Sequence, residues 1–443
     1  MDLTEDTARD LTRRLLDRVN ADHATVEVGS AKDTNVRFAN NEPTSNGAVT
    51  SLSISLSVSF GRRSASVGFD QTDDATLDDA VRRVEAMARL APENPELLPP
   101  PGPAKFDPAV CHANSTEQAG PEALAGWLKP AVARAREAGV NAAGYLDCSA
   151  GVSVLATSTG MFVFERYSDI GFSMTARTAE GKGSGWASLQ ATAAEGLDLE
   201  PVARRAIQKA LDSRNPRPLE PGRRTVILEP AAVRDLISLL LWSLDRRDFD
   251  EGRSFLNPLV KDGDPVGQAL FGDKAVLWSD PLDLRAPCGT NAGGLPRRRT
   301  SWIESGVLKN LTVGRFWAKQ KKVPPLPGPG NFFLEGEGRS MEELIASVDD
   351  GVLVTRLWYL RMVDPQTLLY TGLTRDGTFR IEKGQITGPV VNFRFNESTV
   401  NVLRNLLASG IPERVLGSED TSPALVPALV VKDFNLSSVS EAS

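Results

Sequence analysis

The chain has 443 residues, of which 41% are hydrophobic and 24% charged, values typical of a folded globular protein with two or more packed units. A net charge of -7 argues against a dedicated nucleic-acid surface, because the one dense basic run, Arg297 to Arg299, has no interleaved aromatic residues. The acidic first residues, the short apolar runs and three widely spaced cysteines predict no export signal, membrane span or disulfide framework, so we expect a cytoplasmic protein without membrane contact.

The clearest local pattern lies in the first predicted unit, residues 1–105. From Ser51 to Phe60 apolar residues alternate strictly with serines, and this period of two predicts a half-buried antiparallel strand. Asp73 is placed to cap a following helix. Around this strand we predict a helix over 3–20, strands at 24–29, 35–39 and 63–69, a helix over 74–90 and a proline-rich linker at 91–108.

Two further units are predicted after this linker. Residues 106–222 combine helices and short strands and are expected to complete the N-terminal domain. Residues 223–443 begin with a buried strand and a helix over 231–245, which is apolar nearly all round and hence buried. Hairpins are predicted over 352–395, with turns at Asp376-Gly377 and Lys383-Gly384, and a loose tail is expected after about residue 411.

These elements predict an α/β (α+β) fold, in which helices pack on mainly antiparallel sheets. We expect an N-terminal α/β domain with a mainly antiparallel sheet and a C-terminal strand-rich domain with one buried helix.

Five segments carry a family resemblance, in order, within roughly residues 5 to 410. They are RFANNEPTSNGAVTSLSISLSVSFGRRSASVGF, LATSTGMFVFERYSDIGFSMTARTAEGKGSGWAS, TVILEPAAVRDLISLL, RRTSWIESGVLKNLTVGRFWAKQ and TGLTRDGTFRIEKGQITGPVVNFRFNES. This ordered set resembles the TldD/TldE (PmbA) peptidase family. The resemblance implies a two-domain α/β fold, dimers that enclose a chamber between C-terminal domains, and proteolysis of peptides or unfolded proteins.

The family's metal motif is missing from the sequence. In the family that this chain resembles, TldD-type subunits have the motif HExxxH on a helix. Its two histidines bind zinc, and its glutamate acts as general base. Aligning residues 226–230 with the family's equivalent strand places the histidines on Ser238 and Ser243 and the base on Leu239. No histidine follows His112, so the resemblance implies a TldE-type chain without cofactor, beside a TldD-type partner that holds the zinc, or a homodimer.

Carboxylates offer an alternative chemistry. Candidate catalytic residues are Asp250, Glu251 and Arg253, after the apolar helix, and Arg375 and Asp376. Paired acids catalyse acid–base steps where burial separates their pKa values. The simpler interpretation makes Asp376-Gly377 a hairpin turn and Glu251–Arg253 a structural ion pair.

Three functions follow from these observations. The leading one is a zinc-free subunit that shapes a substrate chamber beside a metal-bearing partner. The others are a metal-independent, homodimeric hydrolase acting alone and a non-catalytic peptide-binding protein.

Overall fold

The computed structural model describes residues 3–418 and 420–440 of the chain. The fold is mixed α+β, as predicted, with an N-terminal antiparallel sheet that carries helices and a strand-rich C-terminal region. Among the described residues, none of the helices combines the length and the apolar character needed to cross a membrane.

One six-stranded antiparallel sheet organises the N-terminal region, in the strand order β3-β2-β1-β4-β5-β6. Its elements are α1 (Glu5–Leu16), β1 (His23–Ala39), β2 (Glu42–Phe60), β3 (Arg63–Phe69), α2 (Asp74–Leu90), α3 (Asn114–Glu117), α4 (Pro121–Glu137), β4 (Val140–Thr157), β5 (Phe162–Thr178), β6 (Ser184–Ala191) and α5 (Glu200–Asp212).

The alternating segment behaves as its pattern predicts. Ile54, Leu56 and Val58 are buried against the helices α1 and α2, in one apolar cluster. Asp73 caps α2, since its side chain accepts a hydrogen bond from the backbone N–H of Thr76. Both predictions are confirmed, because each depends on residues that are close in sequence.

The two strands predicted at 24–29 and 35–39 form the single strand β1. The polar residues in the middle of β1 do not alternate with apolar ones, so the sequence predicts an interruption between two strands there. In the sheet, however, Ala31 pairs with Ser51 on one side and with Gly151 on the other. Backbone pairing on both edges holds the segment extended, which side-chain periodicity alone does not reveal.

The C-terminal region is built on a barrel and a second sheet. Strands β14, β7, β21, β17 and β15 pair in that order, and β14 also pairs with β15, which closes a small barrel. The second sheet has the order β12-β11-β8-β13-β20-β19. The elements are β7 (Gly222–Leu228), α6 (Pro230–Trp242), α7 (Arg246–Asp250), β8 (Leu277–Ser279), β9 (Asn291–Ala292), β10 (Leu295–Pro296), β11 (Thr300–Glu304), β12 (Val307–Leu308), α8 (Arg315–Lys321), β13 (Phe332–Leu334), α9 (Met341–Ala346), β14 (Asp350–Asp364), β15 (Leu369–Glu382), β16 (Gln385–Pro389), β17 (Phe393–Ser398), α10 (Thr399–Arg404), β18 (Leu406–Ser409), β19 (Glu413–Arg414), β20 (Ala424–Val426) and β21 (Leu429–Val439).

Helix α6 is the buried helix that the sequence predicts. It contacts the barrel strands β7 and β14, the second-sheet strand β20 and the short helix α10. All its residues are buried except Leu239, which is half-buried, and Trp242, which is 82% exposed. Pro230 in the first turn suits a helix start, where an N–H has no helical partner.

The predicted turn at Asp376-Gly377 is wrong. Both residues lie inside β15 with φ angles of 55° and 119°, where they form a bulge opposite Thr355 of β14. An Asp-Gly pair suits the left-handed conformation that either feature requires, so local sequence cannot separate a bulge from a turn. The turn at Lys383-Gly384 is confirmed, with φ angles of 51° and 73° between β15 and β16.

The predicted loose tail after residue 411 is also wrong. Residues 413–439 contain three strands, and the last of them, β21, pairs with β7, β17 and β18. The apolar residues Leu429 to Val431 are buried in the barrel wall. Their partner β7 lies about two hundred residues earlier, so this pairing leaves no local signal in the sequence.

Candidate functional site

The C-terminal end of α6 opens on a cavity of about 290 Å³, called the α6 pocket here. Ser238 and Trp242 are four residues apart, on the same face of the helix. Ser238 is 3% exposed at the base of the pocket, whereas Trp242 stands out at its rim. The lining residues are Ser238, Leu241, Trp242, Thr312, Gly328, Pro329, Asn331, Phe332, Asp420 and Ser422.

The three positions matched to the zinc motif have different surroundings. Ser238 lines the α6 pocket, and its hydroxyl donates to Asp420 Oδ2 over 3.2 Å. Leu239 packs against the apolar core. The Ser243 hydroxyl donates to the carbonyl oxygen of Leu239 over 2.9 Å, within its own helix. Of the three, Ser238 alone is among the residues that line the pocket.

A loop over residues 415–422, of which the structure describes all but 419, contributes Asp420 and Ser422 to the wall of the α6 pocket. The N-terminal half of α6 holds this loop. Arg234 donates from Nη1 to the Val415 carbonyl over 2.5 Å and from Nη2 to the Ser422 carbonyl. The Asp235 carboxylate accepts the Ser418 N–H over 2.8 Å. Arg234 and Asp235 are 0% and 1% exposed, so the loop is fixed to α6 by buried charges.

The N-terminal sheet holds the same loop from the opposite side. The Ser188 hydroxyl accepts the Leu416 N–H over 3.0 Å, and Gln190 Nε2 donates to the Thr421 carbonyl over 2.9 Å. Both residues belong to β6. Loop 415–422 therefore lies between the N-terminal sheet and α6, and contacts from both regions set its position.

Asp420 brings a carboxylate from this loop into the α6 pocket. Its Oδ1 accepts hydrogen bonds from the backbone N–H and the hydroxyl of Ser422, both over 3.0 Å. Its Oδ2 accepts from Ser238 and lies 3.9 Å from Arg234 Nη2. The side chain is 15% exposed, and among the described residues Asp420 is the one ionisable residue in the pocket lining.

A second cavity, of about 240 Å³, lies on the other side of the segment 328–331. Arg297 and Arg298 line it. Arg297 donates to the carbonyl oxygens of Gly289 and Asn291 over 3.0 and 2.7 Å and so supports its own loop. The side chain of Arg298 is exposed to solvent. The two cavities thus present opposite charges across one shared wall.

The candidate residue Asp250 is held in a structural cluster at the end of α7. Its carboxylate accepts from Arg246 over 2.9 Å and from Trp317 over 2.8 Å, and Lys321 Nζ lies 3.2 Å away. Burial raises the pKa of Asp250, but the hydrogen bonds of Trp317 and Lys321, together with Arg246, outweigh burial and lower it. The carboxylate therefore stays ionised at neutral pH.

Glu251 and Arg253 pair with each other at 2.5 Å on the surface. Hydrogen bonds from Arg247 and Arg253 lower the pKa of Glu251. Arg247 also forms two bonds of 2.7 Å with Glu96 in the proline-rich segment, which joins α7 to the N-terminal region. These contacts fit the simpler interpretation of this group as an ion-pair network.

The candidates Arg375 and Asp376 lie in a separate cluster at the bulge of β15. Asp376 is 2% exposed and accepts from Arg356 Nε over 2.7 Å and from the Ser184 hydroxyl over 2.5 Å. Arg375 Nε lies 3.9 Å from the same carboxylate. The partners of Asp376 come from β6, β14 and β15, and those of Asp250 from α7 and α8, so the two acids do not share a site.

Sequence reasoning missed the residues that shape the α6 pocket and two acids of the N-terminal sheet with raised pKa values. Burial and the nearby Asp33 raise the pKa of Asp147 to about 6. Burial also raises the pKa of Asp169 to about 7, although Arg414, 3.5 Å away, opposes it. Asp420 lay in the segment expected to be a loose tail, so no local pattern pointed to it.

Comparison with known families decides the chain's membership. The PmbA/TldA metallopeptidase domain 1 matches residues 24–88, the central domain of the same metallopeptidases matches 118–214, and their C-terminal domain matches 221–438. These matches cover most of the chain in the family's order. The chain belongs to the PmbA/TldD metallopeptidase family. No curated protein sequence matches it.

Solved structures show the same fold. TldE from Thermococcus kodakarensis superposes with a TM-score of 0.85 at 18% identity, over 97% of this chain and 99% of that one. A proposed modulator of DNA gyrase from Thermotoga maritima gives 0.82 at 15% identity, over 96% and 99%. Another, from Bacteroides thetaiotaomicron, gives 0.82 at 18% identity, over 98% and 99%. Similarity at this identity establishes the PmbA/TldD fold.

The family name implies a metal, and the residues at α6 do not fit zinc. Zinc sites use imidazole, thiolate and carboxylate ligands, usually three from the protein in a catalytic site. The α6 pocket offers one carboxylate, Asp420, among hydroxyl and amide groups. Burial raises the pKa of Cys111 to about 11 and of Cys288 to about 12, which disfavours the thiolate. Within residues 3–418 and 420–440, no three His, Cys, Asp or Glu side chains are grouped so that they could hold a metal ion.

Proposed function

We propose that this PmbA/TldD-family chain is a zinc-free, TldE-like subunit of a peptidase. It shapes a chamber and holds peptide or unfolded protein, while a TldD-type partner supplies the zinc. The supporting observation is the α6 pocket. The helix aligned with the zinc motif has Ser238 and Ser243 at the histidine positions, and it presents Ser238 and Trp242 to the pocket. A pocket with one carboxylate and an exposed aromatic ring suits binding rather than metal-assisted hydrolysis.

The test is co-expression of the chain with a TldD-type subunit from the same organism. We expect the two to co-purify, and the complex to hydrolyse peptides faster than the partner alone. Zinc measured by mass spectrometry should follow the partner and be lacking in this chain purified alone. If the chains neither co-purify nor hydrolyse peptides faster together, the subunit role fails.

A stand-alone hydrolase is the weaker alternative. It would need two carboxyl groups with separated pKa values beside one substrate pocket. Asp250 and Asp376 are in separate clusters, each with cationic partners. Asp147 and Asp169 have raised pKa values, but neither lines the α6 pocket. These contacts favour the subunit role.

A further inference from the structure

The exposure of Trp242 is unusual for its position. It ends a helix whose other residues are buried or half-buried, yet 82% of its surface is exposed. Ligand pockets are typically lined by apolar and aromatic side chains together with a few polar groups, and Trp242 is the aromatic side chain at the edge of this cavity. The indole face also attracts cations, since the ring carries negative charge above and below its plane.

The α6 pocket also contains an acidic side chain, which like the indole ring attracts a cation. Within the described part of the lining, Asp420 is the one ionisable group, and Arg234, 3.9 Å from its carboxylate, is wholly buried. Three carboxylates, those of Asp420, Asp235 and Asp169, interact electrostatically with Arg234. Of these three carboxylates, Asp420 is the one that lines the pocket, and its side chain is 15% exposed.

We propose that the α6 pocket binds an ammonium group of a peptide, with Asp420 as its counter-ion and the Trp242 ring against its charge. The ammonium is the α-amino terminus or a lysine side chain. This assignment rests on the proposed peptide-holding role and adds which group of the peptide is held.

The hydrogen bonds of Asp420 favour an ammonium over a guanidinium. Arginine binds a carboxylate best through two parallel bonds, one to each oxygen. Oδ1 of Asp420 already accepts two bonds from Ser422, whereas Oδ2 accepts one, from Ser238. An ammonium needs one strong acceptor, with hydroxyl oxygens for its other donors. Oδ2 and the Ser238 hydroxyl supply such a set.

The experiment is calorimetric titration of the full chain with four short peptides of one apolar sequence, all amidated at the C-terminus. One has a free N-terminus, one is acetylated, one is acetylated and contains lysine, and one is acetylated and contains arginine. We expect the free-amine and lysine peptides to bind at least tenfold more tightly than the acetylated peptide. The arginine peptide should bind more weakly than the lysine peptide.

Titrations at a higher pH distinguish an ammonium from the peptide terminus from one on a lysine side chain. An α-amino group has a pKa of roughly 8 and lysine of roughly 10.4, so at about pH 9.5 the α-amine is neutral and lysine still charged. Binding through the terminus should be lost at this pH, while binding through lysine is kept.

Two variants and a control locate the site. Asp420→Asn keeps an oxygen for the Ser422 bonds but removes the charge, and we expect it to weaken ammonium binding at least tenfold. Trp242→Ala should weaken it about three- to tenfold, the range of a cation–π contact. The matched control is Tyr359→Ala, an aromatic side chain that is 59% exposed on β14. It should leave binding within about twofold.

The outcomes separate this proposal from the subunit role. Equal binding of the acetylated and free-amine peptides overturns the ammonium site and leaves peptide holding intact. No binding of any peptide overturns both the ammonium site and peptide holding. An ammonium preference that survives Asp420→Asn, in a variant whose thermal unfolding matches the parent, overturns this pocket as its location. Failed co-purification with a TldD-type chain affects the subunit role alone.

Discussion

The two ends of α6 place polar groups in opposite environments. At the N-terminal end Arg234 and Asp235 are fully buried and hold loop 415–422 through hydrogen bonds to its backbone. At the C-terminal end Ser238 reaches the base of an open pocket, and Trp242 is exposed at its rim. The buried end positions the loop that carries Asp420, and the open end completes the pocket with it.

This difference teaches how one apolar helix serves both stability and binding. Buried charges must be paired, so the Arg234 end tolerates little change. Exposed side chains contribute little to folding, so the Trp242 end is free to change with function. Substitutions at the two ends should therefore separate stability from binding.

The largest expected effect is that of Arg234→Met. The substitution leaves Asp235 and Asp420 without their buried cation and two carbonyl oxygens without donors, so the free energy of unfolding should fall by about 3–5 kcal/mol. Urea unfolding followed by circular dichroism measures it. Arg298→Met, at an exposed arginine, is the control and should change stability by less than about 0.5 kcal/mol. A loss below about 1 kcal/mol for Arg234→Met would contradict the buried-clamp interpretation.

The second prediction concerns a buried ion pair outside α6. It tests whether the stability lost on removing a charged group depends on the burial and pairing of that group, rather than on its position in α6. Asp376→Asn keeps a residue that tolerates the left-handed backbone but leaves Arg356 without its buried carboxylate. We expect the free energy of unfolding to fall by about 3 kcal/mol. The exposed Asp349→Asn is the control. If stability is unchanged while peptide hydrolysis by the complex is lost, Asp376 acts in catalysis rather than in folding.

A smaller effect concerns pH at the sheet face beside loop 415–422. Asp169 has a pKa of about 7 in the folded protein against roughly 3.9 unfolded, so the unfolded chain loses this proton first. Between pH 4 and 7 the unfolded state binds fewer protons, and the contribution of Asp169 to stability falls as pH rises. Asp169→Asn should therefore gain stability relative to the parent over this range and level off above pH 7.

Unfolding at several pH values checks this prediction, with Asp349→Asn as the reference substitution. A stability difference between Asp169→Asn and the parent that stays constant from pH 4 to 8 would refute the raised pKa. The same result would imply that Arg414 compensates the burial of Asp169 in full.

The smallest expected effect on stability is that of Trp242→Ala. The exposed indole packs on little, so the free energy of unfolding should change by no more than about 0.5 kcal/mol. Peptide binding should nevertheless weaken, which separates the open end of α6 from the buried one. A loss above about 1 kcal/mol would show that the ring belongs to the core and would remove the contrast between the two ends.

The sequence by itself determined the elements whose signals are local. The serine alternation of 51–60 predicted a half-buried strand, the all-round apolar helix predicted α6, and Lys383-Gly384 predicted a hairpin turn. The missing histidines were equally plain, since composition needs no structure. Each of these depends on neighbours within about one turn or one strand.

Only the tertiary structure decided the features that depend on distant partners. Strand β21 becomes part of the barrel because β7 and β17 pair with it. Asp376-Gly377 becomes a bulge because β14 continues past it. Asp420 becomes a pocket residue because Arg234 and β6 hold its loop in place. Backbone pairing and buried charge act between segments far apart in sequence, and no local pattern records them.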